Sequence, residues 1–400
     1  MHPCPACGKQ PMNVFYTVEN IPVHSVRLLW SREEALRFPT GRMELAHCPA
    51  CGFIGNVAFE PALQDYAAEY ESTQAYSPTF NAFARRLAEQ LVDRYDLRGK
   101  EIIEIGCGQG EFLSLLCEIG GNRGAGFDPA YDPARSAITD PARVTVIPDY
   151  YSEQYTHHNA DFVCCKMTLE HIPNVAEFVA TVRRAVGDRP DTVVFFQVPD
   201  VDRVLKEAAF WDIYYEHCSY FSLGSIARLF RQEGFEVLDL WRDYGDQYLM
   251  IEARPASAPT LPSLPQENDL EAIAREVERF PQRVAAQLDF WRATLDRAPR
   301  GGQKVILWGS GSKGVAFLTT LGIFDAIEYT VDINPNKHGT FMAATGQAVV
   351  APSAMQEYRP DLVILMNPLY YQEVQETLAQ MGLHPRMLSV GEETGHGSPS

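Results

Sequence analysis

Basic residues are scarce in this chain. Thirty-four lysines and arginines stand against fifty-two aspartates and glutamates, a formal charge of −18 over 400 residues. With no basic stripe to displace the counterions of a polyanion, nucleic acid is not an expected partner. Long apolar runs are missing too: none approaches the length of a bilayer crossing, and no membrane association is expected. The N-terminal Met-His-Pro-Cys does not read as a signal peptide. Nine cysteines beside 46% hydrophobic residues do not make a disulfide scaffold, and the expected setting is a reducing cytoplasm. The length suggests two or three domains, and a monomer is compatible with everything the sequence contains.

What is present begins with glycine. An apolar run, Glu101 to Ile105, leads into Gly106, Gly108 and Gly110 and restarts as a helix at Glu111. A backbone that turns sharply and lets a ligand lie against it needs residues without a Cβ. Eighteen residues after Gly110, a second short run ends in Asp128, where the next strand of a doubly wound sheet stops and a carboxylate can take ribose hydroxyls. The turn reads E-x-G-x-G-x-G, led by Glu104, and not the dinucleotide G-x-G-x-x-G. It resembles the S-adenosylmethionine loop of class I methyltransferases. That resemblance implies Glu104, Gly106, Gly108 and Gly110 around the amino-acid end of the cofactor, with Asp128 on its ribose. Asp149, after a third strand, could meet the adenine, and Lys166 and Met167, ending a fourth, lie near the methionine moiety by topology.

Two near-identical knuckles, Cys4-Pro-Ala-Cys7-Gly and Cys48-Pro-Ala-Cys51-Gly, are separated by forty residues. Four thiolates from two tight turns close a tetrahedral shell, the pattern of a structural zinc site with no open position. His47, beside Cys48, is not needed as a ligand. A helix is expected over residues 78–95, with Phe80, Phe83, Leu87, Leu91 and Tyr95 on one face. Strands at 143–147, 161–165 and 192–196 alternate with helices, the mark of a parallel sheet covered on both sides. Proline-rich residues 253–267 read as a linker or loose surface crossing. The amphipathic helix that follows carries Pro281 at its middle, which predicts a kink or a break. A second glycine loop, Gly309 to Gly314, fits G-x-G-x-x-G, and Asp332 follows at dinucleotide spacing. By itself that loop would suggest NAD, so an NAD-dependent oxidoreductase stays open as an alternative, as does a binding protein with a vestigial methyltransferase site.

In this order the parts resemble the three-domain C-methyltransferases that act on nucleotide-linked deoxysugars. Besides the knuckles and both loops, the resemblance rests on Thr168-Leu-Glu-His-Ile172, on Val331-Asp-Ile-Asn-Pro-Asn-Lys-His-Gly339, and above all on Tyr214-Tyr-Glu-His-Cys-Ser-Tyr-Phe-Ser222, where the family carries Y-H-E-H-x-S-Y-F-S. It implies a class I methyltransferase doubly wound α/β sheet, flanked by an N-terminal Cys4 zinc module and a C-terminal Rossmann-like α/β domain. The expected parts are a zinc module with pocket elements at 1–70, a methyltransferase domain at 71–253, a linker and kinked helix at 254–299, a Rossmann-like domain at 300–390 and a flexible tail at 391–400. The sequence departs from the family at Tyr215, where histidine is usual, and at Ile21 to Arg27, where the sugar enzymes carry P-L-A-N-S-F.

The resemblance also implies the chemistry. Carbon beside a carbonyl becomes a nucleophile once a base removes its proton, and an imidazole with an ordinary pKa near 6.5 suits that task at neutral pH. His217 is the expected base. Tyr214 is expected to donate to the developing enolate oxygen, and Glu216 to orient His217 or bind a substrate hydroxyl. Tyr76, Tyr215, Tyr220 and Lys313 are candidate acceptor-binding residues. Tyr70 and Tyr76 could close over the ligands or simply pack, and Glu170 and His171 are left between structural and functional roles. The expected acceptor is a nucleotide-linked keto-deoxysugar, and another small molecule methylated at carbon, oxygen or nitrogen is the alternative. S-adenosylhomocysteine would be the product cofactor.

Overall fold

Three sheets carry the fold. The computed structural model describes residues 2–9, 11–64, 70–258 and 260–391. The N-terminal sheet is antiparallel, with β1 (Asn13–Pro22), β2 (Thr40–His47) and β3 (Ile54–Asn56) side by side. The two knuckles lie at its end. In each, the amide after the second cysteine (Gly8, Gly52) donates back to the first cysteine's carbonyl at 2.8 and 2.9 Å. Both glycines take positive φ, 65° and 74°, which explains the residue that follows each C-x-x-C.

The central sheet starts with β4 (Glu101–Ile105), β5 (Arg123–Phe127), β6 (Val144–Ile147), β7 (Phe162–Lys166) and β8 (Val193–Pro199), all parallel. The chain then leaves to form β9 (Ser219–Tyr220), which pairs with β3 of the N-terminal sheet. It returns as the antiparallel pair β10 (Phe235–Asp243) and β11 (Tyr248–Pro255), giving the order β10-β11-β8-β7-β4-β5-β6. Alternation along the strands splits the core. Ile102, Phe162 and Cys164 meet the helices Pro78–Arg94 and Glu111–Gly120, whereas Ile103, Val163 and Cys165 meet Val175–Val186 and Leu223–Gln232. The adjacent Cys164 and Cys165 are therefore core residues on opposite faces.

The proline-rich crossing is pinned at both ends. Glu236 accepts from the amides of Thr260 and Leu261 and from Arg254, and Glu267 accepts two bonds from Arg231 at 2.7 and 2.9 Å. The helix beyond runs as one element, Leu270–Arg300, through Pro281, so of the expected kink or break the break does not occur. Pro281 falls on the exposed side. Ile273, Phe280, Val284, Trp291 and Leu295 stay in the core, so one lost hydrogen bond costs less than unseating that stripe. Five parallel strands follow: β12 (Val305–Trp308), β13 (Tyr329–Val331), β14 (Ala348–Val350), β15 (Leu362–Leu365) and β16 (Arg386–Ser389), ordered β14-β13-β12-β15-β16. One apolar core joins the N-terminal sheet, residues 201–220, the long helix and this last sheet. Apart from Gly391, the expected tail lies outside the described residues. No helix among the described residues is long and apolar enough to cross a membrane.

Candidate active site

Parallel sheets leave a crevice beyond the carboxyl ends of their strands. Here the central and C-terminal sheets open into one cavity of about 790 Å³, lined from the first glycine loop at one side to the second at the other. On the cofactor side Gly106, Gly108 and Gly110 all take positive φ, 70°, 56° and 89°. A Cβ on Gly106 would come within 1.9 Å of Thr168 Oγ1. Gly106 and Gly108 line the cavity, while Gly110 turns the chain into the helix behind it. Asp128 accepts from Gly108 N and Ala130 N, both at 2.8 Å and on different oxygens, so each oxygen keeps a free lone pair toward the cavity. Asp149 lines the same space and is held by Tyr150 N, Gln154 and Tyr155.

Glu104 is buried under the loop with one oxygen unpaired, and burial pushes its carboxyl up to about 8 despite the nearby Lys166. Lys166 Nζ lies 3.5 Å from the centre of the Phe112 ring, and burial lowers its ammonium pKa. Met167 adopts φ 51° at the end of β7 and lines the cavity with Lys166.

More of the wall comes from Thr168, Glu170, His171, Asp212, Tyr214 and His217. His217 is buried, its ring 4.3 Å from that of Tyr214 and 4.8 Å from that of His171, edge to face in both cases. Burial, with His171 adding to it, holds the His217 imidazole well below its usual pKa, so at pH 7 the ring is neutral with a nitrogen free to accept a proton, as a weaker base than an ordinary imidazole. Burial raises the Tyr214 phenol well above its usual value, which keeps it a donor. Glu170 is 1% exposed, with neither carboxyl oxygen paired. One of its oxygens and ring nitrogens of His171 and His217 lie within 4.8 Å of one another. Glu170 and His171 thus line the cavity beside His217, where the L-E-H-I resemblance alone left their role open.

Three expected site residues sit elsewhere. Glu216 faces away from His217 into the N-terminal module, where it accepts from Ser25 N at 3.0 Å, from Ser25 Oγ and from His24 at 3.2 Å. Tyr214 to His217 form a turn closed by the His217 amide on the Tyr214 carbonyl at 3.1 Å, and Glu216 does not line the cavity that His217 lines. Tyr215 is wholly buried against Gly41 and Phe59, its hydroxyl accepting from Glu60 N at 2.9 Å. Tyr220 belongs to β9 and is buried outside the cavity wall. Of the divergent segment 21–27, only Val26 reaches the wall. Tyr70, Tyr76 and Lys313 do line it.

Lys313 is held by Asp212 at 2.7 Å and by Gln247 at 3.2 Å. Burial would raise the Asp212 carboxyl, but Lys313 and Arg203 outweigh it and hold it at about 2. Asp212 and Gln247 were not expected. A lone carboxylate inside the apolar run Phe210-Trp-Asp-Ile213 was the available signal. In the second glycine loop Asp332 repeats the Asp128 turn, accepting from Ser310 N and Asn334 N at 3.0 and 2.9 Å. It differs in that one oxygen also takes Ser310 Oγ at 2.5 Å and lies 3.6 Å from Lys337.

In the N-terminal cluster, Cys4–Cys51 and Cys7–Cys48 sulfurs are 3.6 and 3.7 Å apart. A sulfur tetrahedron about 2.3 Å from zinc has edges of about 3.8 Å, so the arrangement fits that ion. His47 is not part of the cluster.

Known proteins resemble the chain in two stretches. The family described as "Methyltransferase domain" matches residues 80–240, and "C-methyltransferase C-terminal domain" matches residues 256–384. C-methyltransferase NovU of Streptomyces niveus is 29% identical over 309 residues, 72% of each chain. A ubiquinone biosynthesis O-methyltransferase of Actinobacillus pleuropneumoniae is 28% identical over 120 residues, 28% of this chain and 49% of that one. Among solved structures, the 1,6-didemethyltoxoflavin N1-methyltransferase of Burkholderia thailandensis aligns at 18% identity with a TM-score of 0.33, covering 44% of this chain and 79% of that one. The protein is an S-adenosylmethionine-dependent methyltransferase whose chain matches both a methyltransferase domain and a C-methyltransferase C-terminal domain.

Proposed function

We propose that the protein methylates a carbon beside a carbonyl in a nucleotide-linked keto-deoxysugar. The observation that carries this is the pairing of a neutral imidazole and a protonated phenol, His217 and Tyr214, on the wall of a cavity that both glycine loops also line. S-adenosylmethionine supplies the electrophilic methyl group. Glu104, Gly106, Gly108 and Gly110 shape its amino-acid end. Asp128 uses its remaining lone pairs for the ribose, Asp149 meets the adenine, and Lys166 and Met167 border the methionine. His217 takes the acidic proton of the acceptor, and Tyr214 donates to the enolate oxygen as charge grows there. The resulting carbon nucleophile attacks the methyl in line.

The nucleotide end of the acceptor lies toward Lys313 and the N-terminus of the helix Ser312–Leu321, whose amides favour phosphate. Tyr76 closes one side. NAD is disfavoured at this second loop, because one Asp332 oxygen already serves Ser310 twice and neighbours Lys337, which leaves a single oxygen for a ribose where Asp128 has two. The four N-terminal cysteines hold one structural zinc.

His217→Ala tests the base. Turnover should fall by roughly 10² or more while affinity for S-adenosylhomocysteine stays unchanged. Tyr214→Phe should be milder, roughly tenfold to a hundredfold. Full activity in His217→Ala would point to an acceptor already nucleophilic, at oxygen or nitrogen. Melting shifts with S-adenosylhomocysteine, dTDP and NAD, run side by side, separate the substrate readings: the first two should stabilise the protein and NAD should not.

A further inference from the structure

Buried carboxyl groups without a partner are rare, and each one calls for an explanation. Glu170 has two bare oxygens at the wall of the cavity, one of them within 4.8 Å of a His217 ring nitrogen. The other charges around His217 are already committed. Asp212 is shared by Arg203 and Lys313, Arg203 also pairing with Glu207 at 2.7 Å, and Glu216 is turned toward Ser25 and His24. His171, which burial keeps toward its neutral form, donates to the Glu216 backbone carbonyl. Tyr214 keeps its proton, and so does Tyr220, which burial pushes well above the usual phenol range. A proton taken by His217 would therefore add a buried cation whose neighbouring carboxylates are already committed to other partners. In a buried site that raises the barrier to deprotonating carbon.

We infer that Glu170 is the positioning residue of His217, pairing as a carboxylate with the imidazolium formed when His217 takes the acceptor's proton. The inference rests on the carbon-acid reading above and deepens it. At rest, burial pushes the Glu170 carboxyl up to about 8, so the group is mostly protonated at neutral pH. A cationic methyl donor entering the same cavity favours the carboxylate. Donor binding then releases the Glu170 proton to solvent. His217 takes one proton from the acceptor, and the enolate carbon receives the methyl as the carbon–sulfur bond breaks. The sulfide product is neutral, so the imidazolium hands its proton to Glu170 and the resting state returns. The net yield is methylated acceptor, S-adenosylhomocysteine and one proton in solution.

Sinefungin, which carries an ammonium group and no transferable methyl, separates charge from chemistry. Calorimetry in buffers of different ionisation enthalpy should show Glu170→Gln releasing roughly one proton fewer than the wild type when sinefungin binds at pH 7, and no such difference with S-adenosylhomocysteine; any release from Glu104, which burial also raises to about 8, is common to both proteins. With dTDP-4-keto-6-deoxyglucose in deuterated buffer, the protons flanking the carbonyl should exchange faster with sinefungin than with S-adenosylhomocysteine. Glu170→Gln should slow the sinefungin-supported exchange by roughly tenfold to a hundredfold while leaving S-adenosylhomocysteine affinity within about twofold. Glu170→Asp keeps the charge and should keep the proton release, which guards against a folding defect in the glutamine variant. Wild-type proton release or exchange rate in Glu170→Gln would overturn the inference. So would a second tightly bound metal that this variant loses, since three possible ligands meet here. Proton release without any exchange in the wild type would instead defeat the carbon-acid reading, and the role of Glu170 with it.

Discussion

Asp128 does two things at once. Its oxygens hold the amides of Gly108 and Ala130, which shapes the loop, and each oxygen still has capacity toward the cavity. Asp128→Ala should therefore weaken S-adenosylhomocysteine by about 1.5–3 kcal/mol, a charge-assisted pair of hydrogen bonds to ribose, while the central sheet stays folded. Titration calorimetry checks the first part and circular dichroism the second. Unchanged affinity would move the ribose away from β5. Glycine is required at Gly106 for a different reason: its φ of 70° and the 1.9 Å approach of Thr168 leave no room for any side chain.

At the level of elements, the long helix Leu270–Arg300 shows packing overriding local propensity. A proline inside a helix removes one hydrogen bond and is about 3 kcal/mol less favourable than alanine. Pro281 is nevertheless accommodated, because its ring is exposed while Phe280 and Val284 on either side are buried with Ile273, Trp291 and Leu295. Pro281→Ala should stabilise the protein by about 1–2 kcal/mol, the helix gain being reduced by the greater freedom of the unfolded chain. Urea denaturation measures this, and destabilisation would mean that the ring itself is a packing element. The segment between the helix Val201–Glu207 and β9 is placed by packing in the same way. Its strand Ser219–Tyr220 is only two residues long, yet pairing with β3 sets which of Tyr214 to Tyr220 look into the cavity.

For the whole molecule, the N-terminal module is an integral wall of the catalytic region. Ser25 joins Glu216 of the central region to Ser312 at the start of a C-terminal helix, the latter at 2.8 Å. Glu71, fully buried, gathers Arg135, Asn334 and Asn336 from two other parts of the chain. Losing the metal should therefore loosen far more than the knuckles. Metal analysis should find one zinc per chain. Cys48→Ser should lower the melting temperature and solubility, with the intrinsic methyl-transfer step of the remaining folded enzyme little changed, as single-turnover rates would show. A fully stable metal-free protein, or zinc that exchanges during turnover, would contradict a closed structural shell.

Local signals were enough to read β4 with its glycine loop, Asp128 at the end of β5, the two cysteine knuckles and the second glycine loop. In each, the chemistry is written by residues close together in the chain: a glycine where φ must be positive, a cysteine pair in one tight turn, apolar alternation in a strand. The Y-Y-E-H segment resisted that approach. Its residue types announce acid–base chemistry, but which side chain faces the cavity depends on β9 docking on β3, a contact with residues about 160 positions earlier. Sequence alone paired Glu216 with His217 because they are neighbours; the fold turns Glu216 toward Ser25 and puts Glu170, from the end of β7, beside the imidazole instead. Where each side chain of that turn points is set by what packs around it, and only tertiary packing decides which distant residue fills the space next to a buried group.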